Sequence, residues 1–317
     1  MKNENSRLPK PGTGGQVKLK IPTLSVIMPA YNSEDFIQEA VLSVVNQTFQ
    51  DFVLIIVDDA STDKTVRIIK KLQRKFPHKI KLIELKQNLN CGGDKPANEG
   101  LKHATGRYVA RMDADDVADP TRFEKQINFL KDNPHVFLVG SCAYVIDKTG
   151  KIIGEKNEPL DSEAIYKAYF GFHPLVHPTC MFKRKLRNGS AFSYEIKHSA
   201  NNDYYTFYKL ICQGYKFVNL EEKLVKYRIH NHNATFVNMK HKFVNSLKIR
   251  LSMVANYGYI PSPKDIVMIT AQTIIVMTLP EKMLLNIYFL AKGIIKIEEL
   301  LPSFPLPSIR KAFSISR

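Results

Sequence analysis

Between residues 24 and 139 the chain alternates two kinds of hydrophobic text, and this alternation restricts the fold more than any other feature. Five short runs are almost continuously apolar: residues 24–28 (LSVIM), 52–57 (FVLIIV), 80–85 (IKLIEL), 107–112 (RYVARM) and 136–139. A strand with one wet face would alternate apolar and polar residues. Continuous Val, Ile and Leu runs fit strands covered on both faces, as in a parallel sheet. Between them, Ile37, Val41, Val44 and Val45, then Val66, Ile69, Leu72 and Phe76, recur at helical spacing, with Asn32 or Ser33 and then Thr62 as candidate caps. Strands alternating with such helices build βαβ units, so an α/β fold with a doubly wound, mostly parallel sheet is expected.

The second half is less regular. Residues 141–237 read as a mixed segment of short strands with one helix around residues 204–212. From residue 238 the text turns helical, with Met253, Ile266, Ile274, Leu284, Leu285, Ile287, Tyr288 and Ile294 available for an apolar face and with Pro261, Pro263 and Pro280 separating the helices. The expected organisation is a polar arm (1–22), a sheet-based domain (23–237) divided into halves at 140/141, and a basic helical extension (238–317).

Ligands of open α/β sheets bind beyond the carboxyl ends of the strands, which makes the strand-end residues informative. They are Pro29-Ala30-Tyr31-Asn32, Asp58-Asp59-Ala60-Ser61, the segment from Asn88 to Asp94 with Gly92-Gly93, and Asp113-Ala114-Asp115-Asp116. The first turn lacks G-x-G-x-x-G, which argues against a dinucleotide cradle, and no G-x-x-x-x-G-K-[ST] phosphate loop occurs. Carboxylates gathered at one crevice repel and raise each other's pKa unless a cation intervenes. Asp113 and Asp115 are therefore candidates to hold Mg²⁺ or Mn²⁺, with water and diphosphate oxygens completing the shell. Taken singly, Asp58 and Asp116 read equally well as turn or cap residues.

These segments, LSVIMPAYNSEDFIQEAVLSVVNQTFQDFVLIIVDDASTDKT, Asn90-x-Gly92 and ATGRYVARMDADDVADPTRFEKQINFL, resemble the family 2 glycosyltransferases of GT-A type fold, over roughly residues 24–230. The resemblance implies a Rossmann-like nucleotide-binding half, a mixed acceptor-binding half, and metal-assisted transfer of a sugar from a nucleotide-sugar to a hydroxyl with inversion. It also implies site residues. Pro29, Tyr31 and Glu34 would flank the nucleoside, and Asp58 and Asp59 would bond the base. Asp113 and Ala114 would meet the donor, Asp113 reaching ribose or metal, and Asp115 would be the main metal ligand. Asp203 would be the catalytic base, His230 a further metal ligand, Arg228 a phosphate clamp and His177 an acceptor contact. The chain departs from the family near Asn98, where Ala97 replaces the usual Arg; Lys95 is the substitute cation, without the bidentate reach of a guanidinium. It departs again at Asn202, where the family usually has Glu.

The chain carries 46 Lys and Arg against 30 Asp and Glu, a formal charge of +16. Such an excess favours an anionic partner. A nucleic acid is not expected, because neither zinc-finger spacing nor an RNA-recognition aromatic pattern is present. The expected partners are a UDP-sugar or related donor, a saccharide or lipid-linked acceptor, and an anionic membrane beneath the basic C-terminal helices; a homo-oligomer is left open. Cys91, Cys142, Cys180 and Cys212 show no C-x-x-C pair and read as reduced thiols. No h-region or membrane-length apolar stretch is present, so a cytoplasmic protein, peripheral on the inner face of a membrane, is expected. The competing readings are a sugar-1-phosphate nucleotidyltransferase, whose early G-x-G-x-R loop is missing, and an inactive relative serving as a scaffold.

Overall fold

The computed structural model describes residues 21–90, 92–198, 201–230 and 238–291. The N-terminal arm to residue 20, Cys91 and the tail from residue 292, with Ile294, lie outside the described residues. The first half is built as the apolar runs dictate. Strands β1 (Leu24–Ala30), β2 (Phe52–Asp58), β3 (Ile80–Glu84) and β4 (Tyr108–Arg111) pair in parallel in the order β3-β2-β1-β4. Helices α1 (Ile37–Val45), α2 (Thr65–Lys75) and α3 (Asp94–Leu101) make the crossovers. Both sheet faces are buried, which explains the unbroken hydrophobic text. Leu24, Val26, Met28, Leu54 and Ile56 pack with Ile37, Val41 and Ile69 of α1 and α2, whereas Ile27, Ile55 and Val57 face Ala97 and Leu101 of α3. Each fully buried aliphatic side chain contributes about 1.5–3 kcal/mol relative to exposure.

The cap assignments are corrected. Helix α1 begins after Phe36 and α2 after Lys64. Asn32 instead accepts from the Thr62 amide (2.8 Å), tying the β1 and β2 loops together, and Asp63 accepts from the amides of Thr65 (2.9 Å) and Glu34 (3.0 Å). Helix α3 had no periodic signature because its eight residues include Pro96 and Gly100.

The chain continues through β5 (Val117–Ala118), α4 (Arg122–Asp132), β6 (Val136–Ile146), β7 (Ile152–Lys156), α5 (Ser162–Ala168), a 3₁₀ turn (His177–Thr179), β8 (Met181–Lys183), α6 (Asn202–Cys212) and β9 (Lys216–Arg228). Among the described residues these strands extend the same sheet to nine, in the order β4-β8-β6-β9-β5, with β7 on β6. Pairing here is mixed: β6 and β9 are parallel, while β8, β7 and β5 are antiparallel to their neighbours. The expected division at residue 140 falls inside β6, which runs seven residues beyond Val139. Helices α7 (Met239–Tyr257), α8 (Pro263–Thr278) and α9 (Glu281–Ala291) follow, with Ser262 and Asp265 forming a capping box and Pro263 at the first turn of α8. No helix among the described residues is long and apolar enough to cross a membrane.

Candidate functional site

The chain builds outward from β1 to β2 and β3, then returns to place β4 on the other side of β1, so the topological switch lies between β1 and β4. A ligand crevice is expected beyond their carboxyl ends. A cleft of about 660 Å³ occupies that position, lined by Pro29, Tyr31, Glu34, Asp59, Gly92, Gly93, Arg111, Asp113, Ala114, Asp115, Tyr227 and His230 among others. Eight of the residues singled out from the sequence thus meet here: Pro29, Tyr31, Glu34, Asp59, Asp113, Ala114, Asp115 and His230. Two non-glycine residues stand in the left-handed region here: Asn32 (φ 45°), which lines the cleft after β1, and Ala60 (φ 60°), next to the lining residue Asp59. Such backbone is strained and persists where surrounding contacts enforce it.

Asp58 sits below the cleft, 2% exposed; its Oδ2 accepts from the Ser61 amide (3.0 Å), while Oδ1 is buried without a hydrogen-bond partner. Asp59 accepts from the Leu89 amide (2.9 Å), and burial nonetheless raises its pKa.

Asp115 and His230 come together from opposite ends of the fold. Two-residue β5, just after the aspartate cluster, pairs with the end of β9 through Val117 and Lys226. This sets Oδ2 of Asp115 2.9 Å from Nε2 of His230. This is a hydrogen bond, and the same separation would suit two neighbouring ligands on one octahedral cation with bonds of about 2.1 Å. Among the described residues no group of three or more His, Cys, Asp or Glu side chains could hold a metal. The residues therefore fit a partial shell, of the kind that Mg²⁺ or Mn²⁺ completes with water and phosphate oxygens. Asp116, 1% exposed, accepts from the Arg228 amide (2.7 Å), and burial followed by the Asp115 and Asp113 charges pushes its pKa well up.

Three expected placements are corrected. Arg228 is 1% exposed and turned inward: Nε donates to the Asp115 carbonyl (2.7 Å), Nη1 to the Asp147 and Lys148 carbonyls (3.2 and 3.3 Å), and Nη2 to Glu39 (2.5 Å). It braces the loop that carries Asp115 instead of reaching into the cleft. Lys95 and Asn98 face away from the cleft. Gly92 and Gly93, just before α3, and Pro96 on it line the cleft, while Lys95, Asn98 and Glu99 of α3 and Lys102 just after it line a second cavity. Lys95 donates to the Leu89 carbonyl (3.2 Å), and Asn98 exchanges two hydrogen bonds with the Tyr194 backbone (both 2.8 Å).

The cation of the cleft is Arg111, which the sequence reading passed over. Its Nε and Nη2 lie 2.9 and 2.8 Å from Oδ1 of Asp113, and Nη1 donates to the Gly93 carbonyl (3.2 Å). Gly93 is required here, since a Cβ at that position would lie 2.2 Å from Nη2. An arginine in an otherwise apolar strand was the available signal. Asp94 was missed as well. It is 6% exposed; burial, then the Asp203 charge, pushes its pKa up to about 7, against the opposing pull of Arg111 and a hydrogen bond from Asn202.

Asp203 is the second residue of α6 and stands outside the cleft lining, linked to it electrostatically through Asp94. The helix N-cap is Asn201, so capping does not account for Asp203. His173 Nε2 and His177 Nδ1 approach its Oδ2 to 3.3 and 3.4 Å, and Tyr204 N donates to Oδ1 (2.8 Å). Burial raises its pKa, but the two histidines and the Tyr204 amide outweigh that and hold it well below the usual carboxylate range. His177 thus contacts Asp203 and, through Nε2, the Tyr194 hydroxyl (2.8 Å). Cys142, Cys180 and Cys212 are free thiols.

Residues 25–189 match the model of the family described as Glycosyl transferase family 2. The chain is 38% identical over 213 residues to an uncharacterized glycosyltransferase of Methanocaldococcus jannaschii, spanning 66% of this chain and 72% of that one. It is 30% identical over 206 residues to the amylovoran biosynthesis glycosyltransferase AmsE of Erwinia amylovora, spanning 64% and 75%. Its fold resembles S. aureus TarS 1-349 solved in complex with UDP, with a TM-score of 0.56 and 20% identity over 88% of this chain and 77% of that one. The cleft residues from Pro29 to Asp115 fall within the matched segment, with Tyr227 and His230 beyond it, and by the family model and these relatives the chain belongs to glycosyl transferase family 2 and is a transferase.

Proposed function

We propose that the chain is an inverting, metal-dependent transferase that moves a sugar from a UDP-sugar to a hydroxyl of a saccharide or lipid-linked acceptor during surface-polysaccharide synthesis. The observation that carries this reading is the meeting of Asp113, Asp115 and His230 at the switch-point cleft. The nucleoside would lie between Tyr31 and Pro29, with Asp59 and the unpartnered Oδ1 of Asp58 accepting its base N–H. Asp115 and His230 would hold Mn²⁺ or Mg²⁺, which when bound supplies positive charge against the departing diphosphate. Arg111, in place of the expected Lys95, adds a fixed guanidinium on the same wall. Asp203 takes the proton of the attacking hydroxyl as the bond to the anomeric carbon forms opposite the leaving group, so that one displacement inverts the centre.

AmsE is named for amylovoran biosynthesis, TarS was solved with UDP and UDP-GlcNAc, and the Pyrobaculum calidifontis mannosyltransferase PcManGT, which this fold also resembles (TM-score 0.53, 17% identity, 90% of this chain and 89% of that one), was solved with GDP-Man and Mn²⁺. These favour a nucleotide-sugar donor and a glycan product. Membrane docking at the cytoplasmic face is part of the proposal. Ile266, Val267, Ile274 and Met277 leave an exposed apolar face on α8, which carries no charge after Asp265, and the chain as a whole is strongly basic. The deciding experiment pairs two variants. Asp203→Asn should abolish transfer while Mn²⁺-dependent UDP binding persists, and Asp115→Ala should remove that binding in calorimetry. Unchanged UDP titration of Asp115→Ala would refute the metal assignment; surviving transfer in Asp203→Asn would refute the base.

A further inference from the structure

Asp203 does not stand alone. His173, in the loop after α5, and His177, opening the 3₁₀ turn, bring a ring nitrogen each to the same carboxylate oxygen, Oδ2, at 3.3 and 3.4 Å. Both rings are fixed by packing. His173 stacks on Tyr204 (5.4 Å between centroids, 26°), and His177 meets Tyr194 and Phe207 edge-on (82° and 77°). Both nitrogens of His173 are buried and neither makes a hydrogen bond among the described residues, so its approach to Oδ2 is a close contact without hydrogen-bond alignment.

The chemistry of the chain assigns its protons. A carboxylate only accepts, so the His177 nitrogen facing Asp203, Nδ1, carries the hydrogen. In a neutral imidazole the other nitrogen, Nε2, is then an acceptor, and the Tyr194 hydroxyl 2.8 Å away donates to it. Burial, reinforced by Arg111 and His173 and opposed by Asp203, lowers the pKa of His177 to about 3, which keeps the ring neutral. The order Tyr194 O–H donating to His177 Nε2, with His177 Nδ1–H facing Asp203 Oδ2 at 3.4 Å, follows.

We propose that His173 and His177 are positioning residues for the base: from two sides they hold Oδ2 of Asp203 in one orientation. This rests on the reading of Asp203 as base and gives the two histidines a role other than acceptor contact. The other titratable groups that act on Asp203 or its partners are Asp94 from α3, Arg111 from β4, Lys242 from α7, Cys180, and the phenols of Tyr169, Tyr194 and Tyr204. Without the histidines, burial would act on Asp203 with less opposition and its pKa would rise. The base would then become protonated at a higher pH, and the acid limb of the rate profile would move upward.

The test uses the full chain, with Mn²⁺ and a panel of UDP-GlcNAc, UDP-glucose and UDP-galactose, and follows UDP release with water as acceptor. His173→Phe and His177→Phe should each lower kcat by roughly tenfold to a hundredfold, with KM for the donor unchanged, as expected for a misaligned catalytic group. Their acid limbs should rise by about one pH unit or more. His177→Gln keeps an N–H donor and should recover most of the loss. Independently of turnover, imidazole ¹⁵N spectra of the wild-type chain should show His177 as a neutral Nδ1–H ring between pH 5 and 8, and its signals should shift in Asp203→Asn. Rate profiles of the Phe variants that superpose on wild type, or a His177 that titrates like a free imidazole, would overturn the proposal. A chain that turns over none of the donors would refute the UDP-sugar reading, and the spectra alone would then decide this one.

Discussion

Asp94→Asn should make the protein more stable, and more so at high pH. The carboxyl is 6% exposed and shares its surroundings with Asp203, so its pKa in the fold stands at about 7 against a reference of 3.8. Between those values the folded state binds more protons than the unfolded state, so the stability that protonated Asp94 contributes is complete below pH 3.8 and is lost as pH rises to about 7. A difference of about 3 units corresponds to a ceiling of about 4 kcal/mol. Arg111 and the Asn202 hydrogen bond are already included in that balance, and an Asn amide oxygen still accepts from Asn202. Urea unfolding of both chains at pH 4.0 and 8.0 measures the effect. The variant should gain about 2–4 kcal/mol at pH 8.0 and close to nothing at pH 4.0. An equal difference at the two pH values, or a loss at pH 8.0, would refute the argument that a buried, mostly charged carboxyl strains this site. A carboxylate retained at such cost is expected where activity needs it, and the same variant should lose turnover while becoming more stable.

Gly93→Ala would push a methyl group onto Arg111 Nη2 and dislodge the guanidinium from Asp113; Mn²⁺-dependent UDP affinity should fall, with about 1–3 kcal/mol of stability lost in urea. Arg228→Met should cost about 3 kcal/mol, the lower end for breaking a buried pair because Glu39 is half-exposed, and should weaken metal-dependent binding by releasing the Asp115 loop; intact binding would restore a direct phosphate role to no residue here and remove the bracing role. Sedimentation with vesicles containing anionic phosphatidylglycerol should retain the chain at low salt and lose it in the double variant Ile266→Glu, Ile274→Glu; equal retention of both would exclude α8 as the docking face.

Much of the nucleotide half was legible because its determinants are local. Period and composition identify β1 to β4, and the rule that ligands sit beyond parallel strand ends selects Pro29, Tyr31, Asp59, Asp113 and Asp115 without any knowledge of contacts. Extent was less legible: the run at 136–139 belongs to the 11-residue strand β6, since nothing in the text marks where a doubly covered strand stops. Helix α3 hid behind Pro96 and Gly100. Its phase could not be read, and so Lys95 was assigned to a cleft from which the helix turns it away.

The sequence by itself determined that this chain has an α/β sheet buried on both faces and a crevice bearing aspartates, because burial pattern and strand-end chemistry are written in consecutive residues. Tertiary structure alone decided which cation serves the crevice, that Arg228 turns inward, that His230 returns from β9 to Asp115, and that two histidines close on Asp203. Those facts depend on side-chain direction and on pairings across as many as 189 residues. Neither leaves a periodic trace in the sequence, because each is set by how elements pack and not by which residues adjoin.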